Sequence, residues 1–235
     1  PGIIGKKLGS TQVFQGNGEV KRVTVVDLSH TVVLGRRTLE KDGYSALIVG
    51  FGKRREKNVN KPEAGFFKKI NQSPVAEIRE LRLSPEDAAK FEVGATIKPT
   101  DIFTEGQFVD VCGQTRGRGF TGVMARWNFR GSATKTHGTH EYQRHGGAIG
   151  TNMTPGRTLP NLKMPGQYGN EKVTIQNLKV IKLMDAEGLV LIEGGIPGSR
   201  NTVVTVRAAD KKRKPSWTRV SGPKTSTTSR GFLFL

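Results

Sequence analysis

Cysteine is nearly absent: Cys112 is the one thiol in 235 residues, which excludes a disulfide framework and cysteine-based zinc sites and makes a reducing compartment the expectation. A lone cysteine in an apolar strand reads as a small core hydrophobe. Long apolar runs are missing as well. No stretch approaches the roughly 20 residues a membrane-spanning helix needs, and no secretory pattern of charge, apolar run and cleavage site opens the chain, so a soluble, intracellular protein is expected. Acid is scarce: 20 Asp+Glu against 38 Lys+Arg give a formal net charge of +18 and a pI near 10.3. The natural partner of such a surplus is a polyanion, nucleic acid first. With 34% hydrophobic residues and 30 glycines, the chain can bury a modest core, in one large or two small domains, and carry long irregular extensions.

What is present reads mainly as short strands. "TQVFQ", the turn "GNG", "VKRVTVVDL" and, after "KDG", "YSALIVGFG" suggest a meander or barrel. The run "KRREKNVNK" at 53–61 is too polar to pack and reads as a basic loop, either a solvated face or an RNA contact. The clearest helix signal is "SPEDAAKF", where Ser84 caps, Pro85 suits the first helical position and Asp87 stands three residues after the cap. "ATIKP" and "GQFVDVCG" look like further strands. They return after the middle of the chain as "KVTIQNLKVIKLM", "LVLIEGGIPG" and "TVVTVRA", which read as two hairpin-like units. Neither half alone offers a complete sheet with its edges managed, so one β-rich body built from both sides of a protruding arm is expected.

The arm is 113–172, where strand-like runs vanish and Glu141 and Glu171 are the only acids. A loop this long in a compact domain is functional or disordered, and Trp127, Phe129, Tyr142, Ile149, Leu159 and Tyr168 need something to pack on. Three chemistries compete for it. "GRGFTG" at 117–122 matches a dinucleotide-binding G-x-G-x-x-G, but the fingerprint requires a helix and then a parallel strand ending at an acid, and "WNFRGSATKTHGTH" supplies no strand. His137, His140 and His145, with Glu141, have the outline of a metal site, yet zinc needs a rigid scaffold and these sit among glycines. The third reading gives the glycines close backbone approach to a bulky partner, and gives Arg116, Arg118, Arg126 and Arg130 guanidinium forks for phosphates. Trp127 and Phe129 either stack on unpaired bases or pack the arm on the body. No nucleophile elbow or paired-carboxylate pattern supports catalysis, so no enzyme is expected.

"GRGFTGVMARWNFRG" followed by "THGTHEYQRHGGAIGTNMTPGRTLPNLKMPGQYGNEKVTIQNLKV" resembles large-subunit ribosomal protein L-three in its bacterial or organellar form. "IIGKKLGSTQVF", "DGYSALIVGFG", "NKPEAGFFKK" and "LIEGGIPGSRNTVVTVR" look like the same family in the same order, so the likeness runs to about residue 208. It implies a mainly β fold, a translation-factor-like β-barrel from which a long irregular glycine-rich and basic arm projects; with the residue pattern this puts the body at 1–112 and 173–208, with a short, peripheral helical insertion at about 53–95, the arm at 113–172, and a basic, polar tail at 209–235 that lies beyond the likeness. It implies binding to 23S-type large-subunit rRNA near its 3′ domain, an early role in assembly, and an arm that reaches towards and supports the peptidyl transferase centre without chemistry. By the same likeness the arm tip is Gly147, Ala148, Ile149, Gly150, Thr151, Asn152 and Met153. Some bacterial members carry a methylated glutamine at the tip, where this chain has Met153.

The expected RNA contacts are Lys6 and Lys7; Lys53, Arg54 and Arg55; Arg116, Arg118, Arg126, Trp127, Asn128, Arg130, His137, His140, Arg144, His145, Arg157 and Lys163 in the arm; and Lys211, Lys212 and Arg213 in the tail. Expected partners are large-subunit rRNA and neighbouring subunit proteins, fourteen and nineteen by resemblance, in the cytoplasmic ribosome of a bacterium or in an organelle. No cofactor, metal, membrane or small-molecule substrate is expected. A dinucleotide-dependent enzyme and a free nucleic-acid chaperone are the rival readings.

Overall fold

The computed structural model describes residues 2–132 and 137–212. Eleven strands and five short α-helices occur among them, in the order β1 (Gly2–Phe14), β2 (Val20–Asp27), β3 (Thr31–Arg37), α1 (Leu39–Asp42), β4 (Ala46–Phe51), α2 (Lys61–Lys69), β5 (Glu77–Arg82), α3 (Pro85–Ala89), α4 (Pro99–Ile102), β6 (Phe108–Gln114), β7 (Gly119–Thr121), α5 (Val123–Trp127), β8 (Gly166–Tyr168), β9 (Lys172–Met184), β10 (Leu189–Glu193) and β11 (Val203–Ala208). The protein is mainly β, as the sequence implied. Six strands close an antiparallel barrel in the order β1-β11-β6-β9-β10-β2, and β3-β4-β5 form a second antiparallel sheet.

Closure depends on two long strands that each serve two partners. β1 pairs with β11 through Gly2–Lys6 and with β2 from Lys6 onward, while β9 pairs with β6 up to Lys179 and with β10 from Val180. A strand that changes partner must bend, and bulges let it do so. One lies between Lys7 and Gly9; another sets Val109–Val111 of β6 against Ile175–Leu178 of β9. At the second, Asn177 has φ +59°. Its amide, released from the ladder, donates to the buried carboxylate of Asp110 at 2.9 Å. That bond satisfies an otherwise orphaned buried donor.

The second sheet packs on the barrel, and the two share one core. Ile3, Ile4, Val26, Val109, Val180 and Val206 belong to the same buried cluster as Val33, Leu47, Val49 and Phe51 of the sheet. Thr31 ties the parts together, its hydroxyl donating to the carbonyls of Ile4 and Leu28 at 3.0 and 3.1 Å. β1 is thus covered on both faces, which explains why Ile3 and Ile4 are both buried although they point to opposite sides of a strand. Each such fully buried aliphatic side chain contributes about 1.5–3 kcal/mol relative to exposure.

Several expectations need correction. β3, β5 and the first half of β1 are strands that the alternation pattern does not reveal. "ATIKP" contributes only an isolated bridge from Thr96 to Val32. Among the described residues the longest helix is α2, which the sequence reading passes over; Gly65 at its centre weakens the signal, while Pro62 and Glu63 at its start and Lys68 and Lys69 at its end supply one. α3 forms as expected, with Ser84 Oγ accepting from the Asp87 amide. The segment 53–95 is more than peripheral: Ala88 is buried in the main core, and Phe67 and Val75 form a second cluster with Leu34. β10 and β11 are not a hairpin, since β10 lies between β9 and β2 while β11 lies between β1 and β6.

Gly5 is a point where no side chain fits. A Cβ there would sit 2.7 Å from the Asp27 carbonyl oxygen and 2.8 Å from Val26 Cγ1, and would run into Leu28, whereas Gly9 has nothing within 4 Å. Gly5→Ala is expected to cost about 1–3 kcal/mol by overpacking, lowering the thermal midpoint by roughly 2–4 °C per kcal/mol for a chain of this size. Gly9→Ala should melt within a degree or two of the wild type; equal melting of both variants would contradict the packing argument.

Candidate nucleic-acid interface

β6 and β9 are neighbours in the barrel, and their ladder ends with Gln114 opposite Lys172. The chain between them leaves and re-enters the body at one place. Its root is clamped by polar contacts: Gln114 Nε2 donates to Asn170 Oδ1 at 2.7 Å, the Thr115 amide to the Glu171 carbonyl at 2.9 Å, the Asn170 amide to the Thr115 carbonyl at 3.2 Å, and the Glu171 amide to Thr115 Oγ1 at 3.1 Å. Beyond the root, β7 and β8 form a short antiparallel ladder. This corrects the expectation that the arm holds no strands.

The limbs are joined again further out. α5 ends where Asn128 turns left-handed at φ +60°, a conformation Asn tolerates well. Arg126 Nη1 and Trp127 Nε1 both donate to the Met164 carbonyl, each at 2.9 Å. The Arg126 guanidinium lies 4.9 Å from the Trp127 ring centroid and Lys163 Nζ lies 6.0 Å from it, while Arg118 sits 5.1 Å from the Tyr168 ring. Trp127 therefore packs within the arm, not on the barrel. It remains 38% exposed, so part of its surface stays available to a partner. Gly131 passes against the Gln143 carbonyl, and Gly166 leaves room for Arg126, where a Cβ would meet Nη1 at 2.6 Å. Close approach of the two limbs is one job the glycines do.

The structure sorts the expected contact residues into groups. Arg116, Arg118, Arg130, Arg144, Arg157 and Lys163, together with Asn128, His137, His140 and His145, are exposed on the arm, and so is the tip from Gly147 to Met153. Ile149 is 58% and Met153 86% exposed. Lys6 and Lys7 belong to the barrel instead. Lys7 is committed internally: Nζ donates to the carbonyls of Ile196 and Gly198 at 2.8 Å each, and burial pulls its pKa down. It pins the β10–β11 connection, a structural use that the run "GKKLG" does not disclose. Lys53, Arg54 and Arg55 precede α2, where Arg54 pairs with Glu63 at 3.3 Å. Lys211 is exposed, Lys212 Nζ lies 4.7 Å from the Phe108 ring, and Arg213 falls outside the described residues. The root residues Gln114, Thr115 and Asn170 were not anticipated; the turn signal "YGNE", with Gly169 and Asn170 both at positive φ, marks their place.

Electrostatically the arm differs from the body. Among the described residues every ion pair lies in the body, and no arm cation has a carboxylate within 4 Å. No group of three or more potential metal ligands converges among the described residues; Tyr142 and His145 meet edge to face at 5.6 Å. The dinucleotide reading is overturned by topology. A helix does follow Gly122, but it has five residues, and β7 pairs antiparallel with β8 where the fingerprint requires a parallel strand.

A closed barrel projects a two-limbed arm, pinned by its own hydrogen bonds and rich in cations without carboxylate partners among the described residues, which defines a β-barrel protein with a basic extension. A family model described as ribosomal protein L3 matches residues 80–188. The chain is 62% identical over 213 residues to the large ribosomal subunit protein uL3 of Sorangium cellulosum (strain So ce56), covering 91% of each. It is 55% identical over 210 residues to that of Myxococcus xanthus (strain DK1622), 89% of this chain and 93% of the relative, and 44% identical over 212 residues to that of Thermotoga petrophila, 90% and 99%. The chain belongs to the ribosomal protein L3 (uL3) family, a family of ribosomal structural proteins and not of enzymes.

Gly169 tests the root. Its φ is +68° and a Cβ would run into the Arg116 carbonyl. Gly169→Ala should cost about 1–2 kcal/mol or more locally, raising the population of the opened root roughly 5–30-fold. Limited proteolysis within 115–171 should accelerate accordingly while the barrel's melting transition is retained; unchanged cleavage would show that the clamp does not hold the arm.

Proposed function

We propose that this chain is a structural component of a bacterial large ribosomal subunit that binds large-subunit rRNA through its arm. The observation that carries the reading is the arm's set of carboxylate-free, exposed cations on a backbone held together by its own contacts. Such cations exchange condensed counterions for phosphates, so affinity is electrostatic and falls steeply with salt. Holding the limbs together before binding reduces the ordering cost that a free loop of this length would meet.

The family resemblance extends the proposal. The arm runs towards the peptidyl transferase centre, with 147–153 nearest to it, and supports the centre without taking part in chemistry. Binding near the rRNA 3′ domain places the protein early in assembly, beside subunit proteins fourteen and nineteen. The cytoplasm of a bacterium is the proposed location, in keeping with its bacterial relatives.

The test separates binding from folding. Arg130, Arg144 and Arg157 are exposed and, unlike Arg126, hold no described contact inside the arm. Replacing all three by alanine should leave the melting midpoint unchanged, lower the slope of log affinity against log salt by about 2, and reduce the protein found with large subunits in a density gradient after a high-salt wash. Normal incorporation of the triple variant would contradict the proposal. At the tip, a Cβ on Gly150 would meet only the Arg157 carbonyl, 3.9 Å away, so Gly150→Val should keep the arm intact. Subunits carrying it are expected to assemble and to form peptide bonds more slowly; unchanged peptidyl transfer would remove the tip from the centre.

A further inference from the structure

A groove of about 720 Å³ opens between β5 and the β11–β6 face of the barrel. Four cations line it: Arg79 and Arg82 from β5, Arg207 from β11, and Lys172 at the first position of β9. Two of its acids are neutralised from outside. Glu80 accepts from the Tyr44 hydroxyl at 2.7 Å and from Arg37 Nε at 3.1 Å, and these bonds hold its carboxyl below the usual range. Asp87 accepts from Lys90 Nζ at 2.6 Å and from Ser84 Oγ at 2.9 Å. Neither Arg37 nor Lys90 lines the groove, so its own cations are not consumed. Arg82, Arg207 and Lys172 have no carboxylate within 4 Å among the described residues, and Arg79 reaches Glu77 only at 3.9 Å. Asp210 is the one remaining acid of the lining.

The walls are held for binding. Arg79 Nη1 donates to Thr205 Oγ1 at 3.4 Å, tying β5 to the barrel. Arg82 lies 5.4 Å from the Tyr44 ring centroid; stacking uses the face of a guanidinium and leaves its in-plane N–H donors for an anion. The groove also meets the arm. Lys172 stands opposite Gln114, the last residue of β6, at the arm root, so cationic lining continues from the arm root across the body.

We propose that this groove is a second RNA-backbone site, on the body, which takes the phosphates of an rRNA strand running on past the arm root. The inference rests on the rRNA-binding reading above. Arg79, Arg82 and Arg207 lie outside the arm, the basic loop and the tail, while Lys172 stands where the arm rejoins the barrel, and the proposal assigns all four to phosphate contact.

The experiment uses the full chain and protein-free large-subunit rRNA, with filter binding across salt concentrations and hydroxyl-radical footprinting. Arg82 and Arg207 are both exposed, so the pair Arg82→Glu/Arg207→Glu should fold, as a melting curve would verify, and Arg82→Gln/Arg207→Gln provides a milder second variant. The glutamate pair is expected to bind at least about tenfold more weakly near physiological salt, with the salt slope reduced by about 1.5. It should also lose a block of backbone protections that the Arg130/Arg144/Arg157 alanine variant retains. The glutamine pair should lose the same block with a smaller fall in affinity, and Arg82→Lys/Arg207→Lys should restore both. Wild-type affinity and an unchanged footprint in the glutamate and glutamine pairs would overturn the proposal, whether the groove then takes an acidic protein segment or nothing. Absence of protection by the wild-type protein would overturn the rRNA-binding reading itself.

Discussion

The ladder between β6 and β9 is the constraint on which the rest depends. Both strands sit inside the barrel, each with a further neighbour, and the bulge at Asn177 with the buried Asp110 carboxylate beneath it sets their register. Because the ladder ends at Gln114 and Lys172, the two limbs of the arm must start side by side. That proximity allows the root clamp, the β7–β8 ladder and the hooks onto the Met164 carbonyl to form locally. Lengthening a closed loop adds only about 0.6 kcal/mol per doubling, so a rigid body can carry a long excursion cheaply once the ends are held. The folded barrel, and not any propensity of the arm, makes an extended basic structure possible.

Charge is divided between the two parts in a way that follows from their tasks. The body pairs some of its cations locally, Arg37 with Asp42 and Glu80, Arg54 with Glu63, Lys90 with Asp87, and leaves Arg82, Arg207 and Lys172 of the groove without a carboxylate partner among the described residues. These are exposed pairs of small energetic value, and each offsets one cation of the body. The arm has almost no acid with which to do the same. Its cations repel one another in the free protein, an electrostatic penalty that the rRNA binding proposed above would relieve. Short hydrogen bonds to backbone carbonyls and cation–π contacts at Trp127 and Tyr168 give the arm cohesion that does not depend on charge pairing.

The sequence disclosed the architecture better than the use of individual side chains. The return of β-branched runs after residue 172 and the loss of acids before it were enough to infer a body interrupted by an arm. The strands missed are those covered on both faces or serving as sheet edges: Ile3 and Ile4 break the expected alternation because a second sheet covers β1, and "EIRELR" is too charged to look like a strand until β4 is beside it. α2 was hidden by Gly65, and β7 and β8 by being three residues long. In the arm, residue type pointed to cations that the structure leaves mostly exposed, but apart from Asn170 Oδ1 and Thr115 Oγ1 the hydrogen-bond acceptors that organise it are backbone carbonyls, those of Met164, Thr115 and Glu171 among them. A carbonyl is common to every residue and leaves no mark on a sequence.

That limit matters most for the cations themselves. Lys7 and Arg126 are chemically equal to Arg130 or Arg157 in the sequence, yet Lys7 spends its ammonium on the carbonyls of Ile196 and Gly198, and Arg126 spends one edge of its guanidinium on Met164. The loop that Lys7 pins is itself pressed against the arm root: a Cβ on Gly113 would lie 3.1 Å from Pro197 Cγ, and one on Gly198 would lie 3.0 Å from the Gln114 carbonyl. A partly buried lysine in the barrel thus braces the place where the arm departs, and its removal would take the donor from two carbonyls beside that place. Basic residues in this chain therefore act at two levels. Some stand exposed and unpaired, open to the polyanion proposed above; others hold the backbone in the shape that presents the first group, and only the positions of their acceptors distinguish the two.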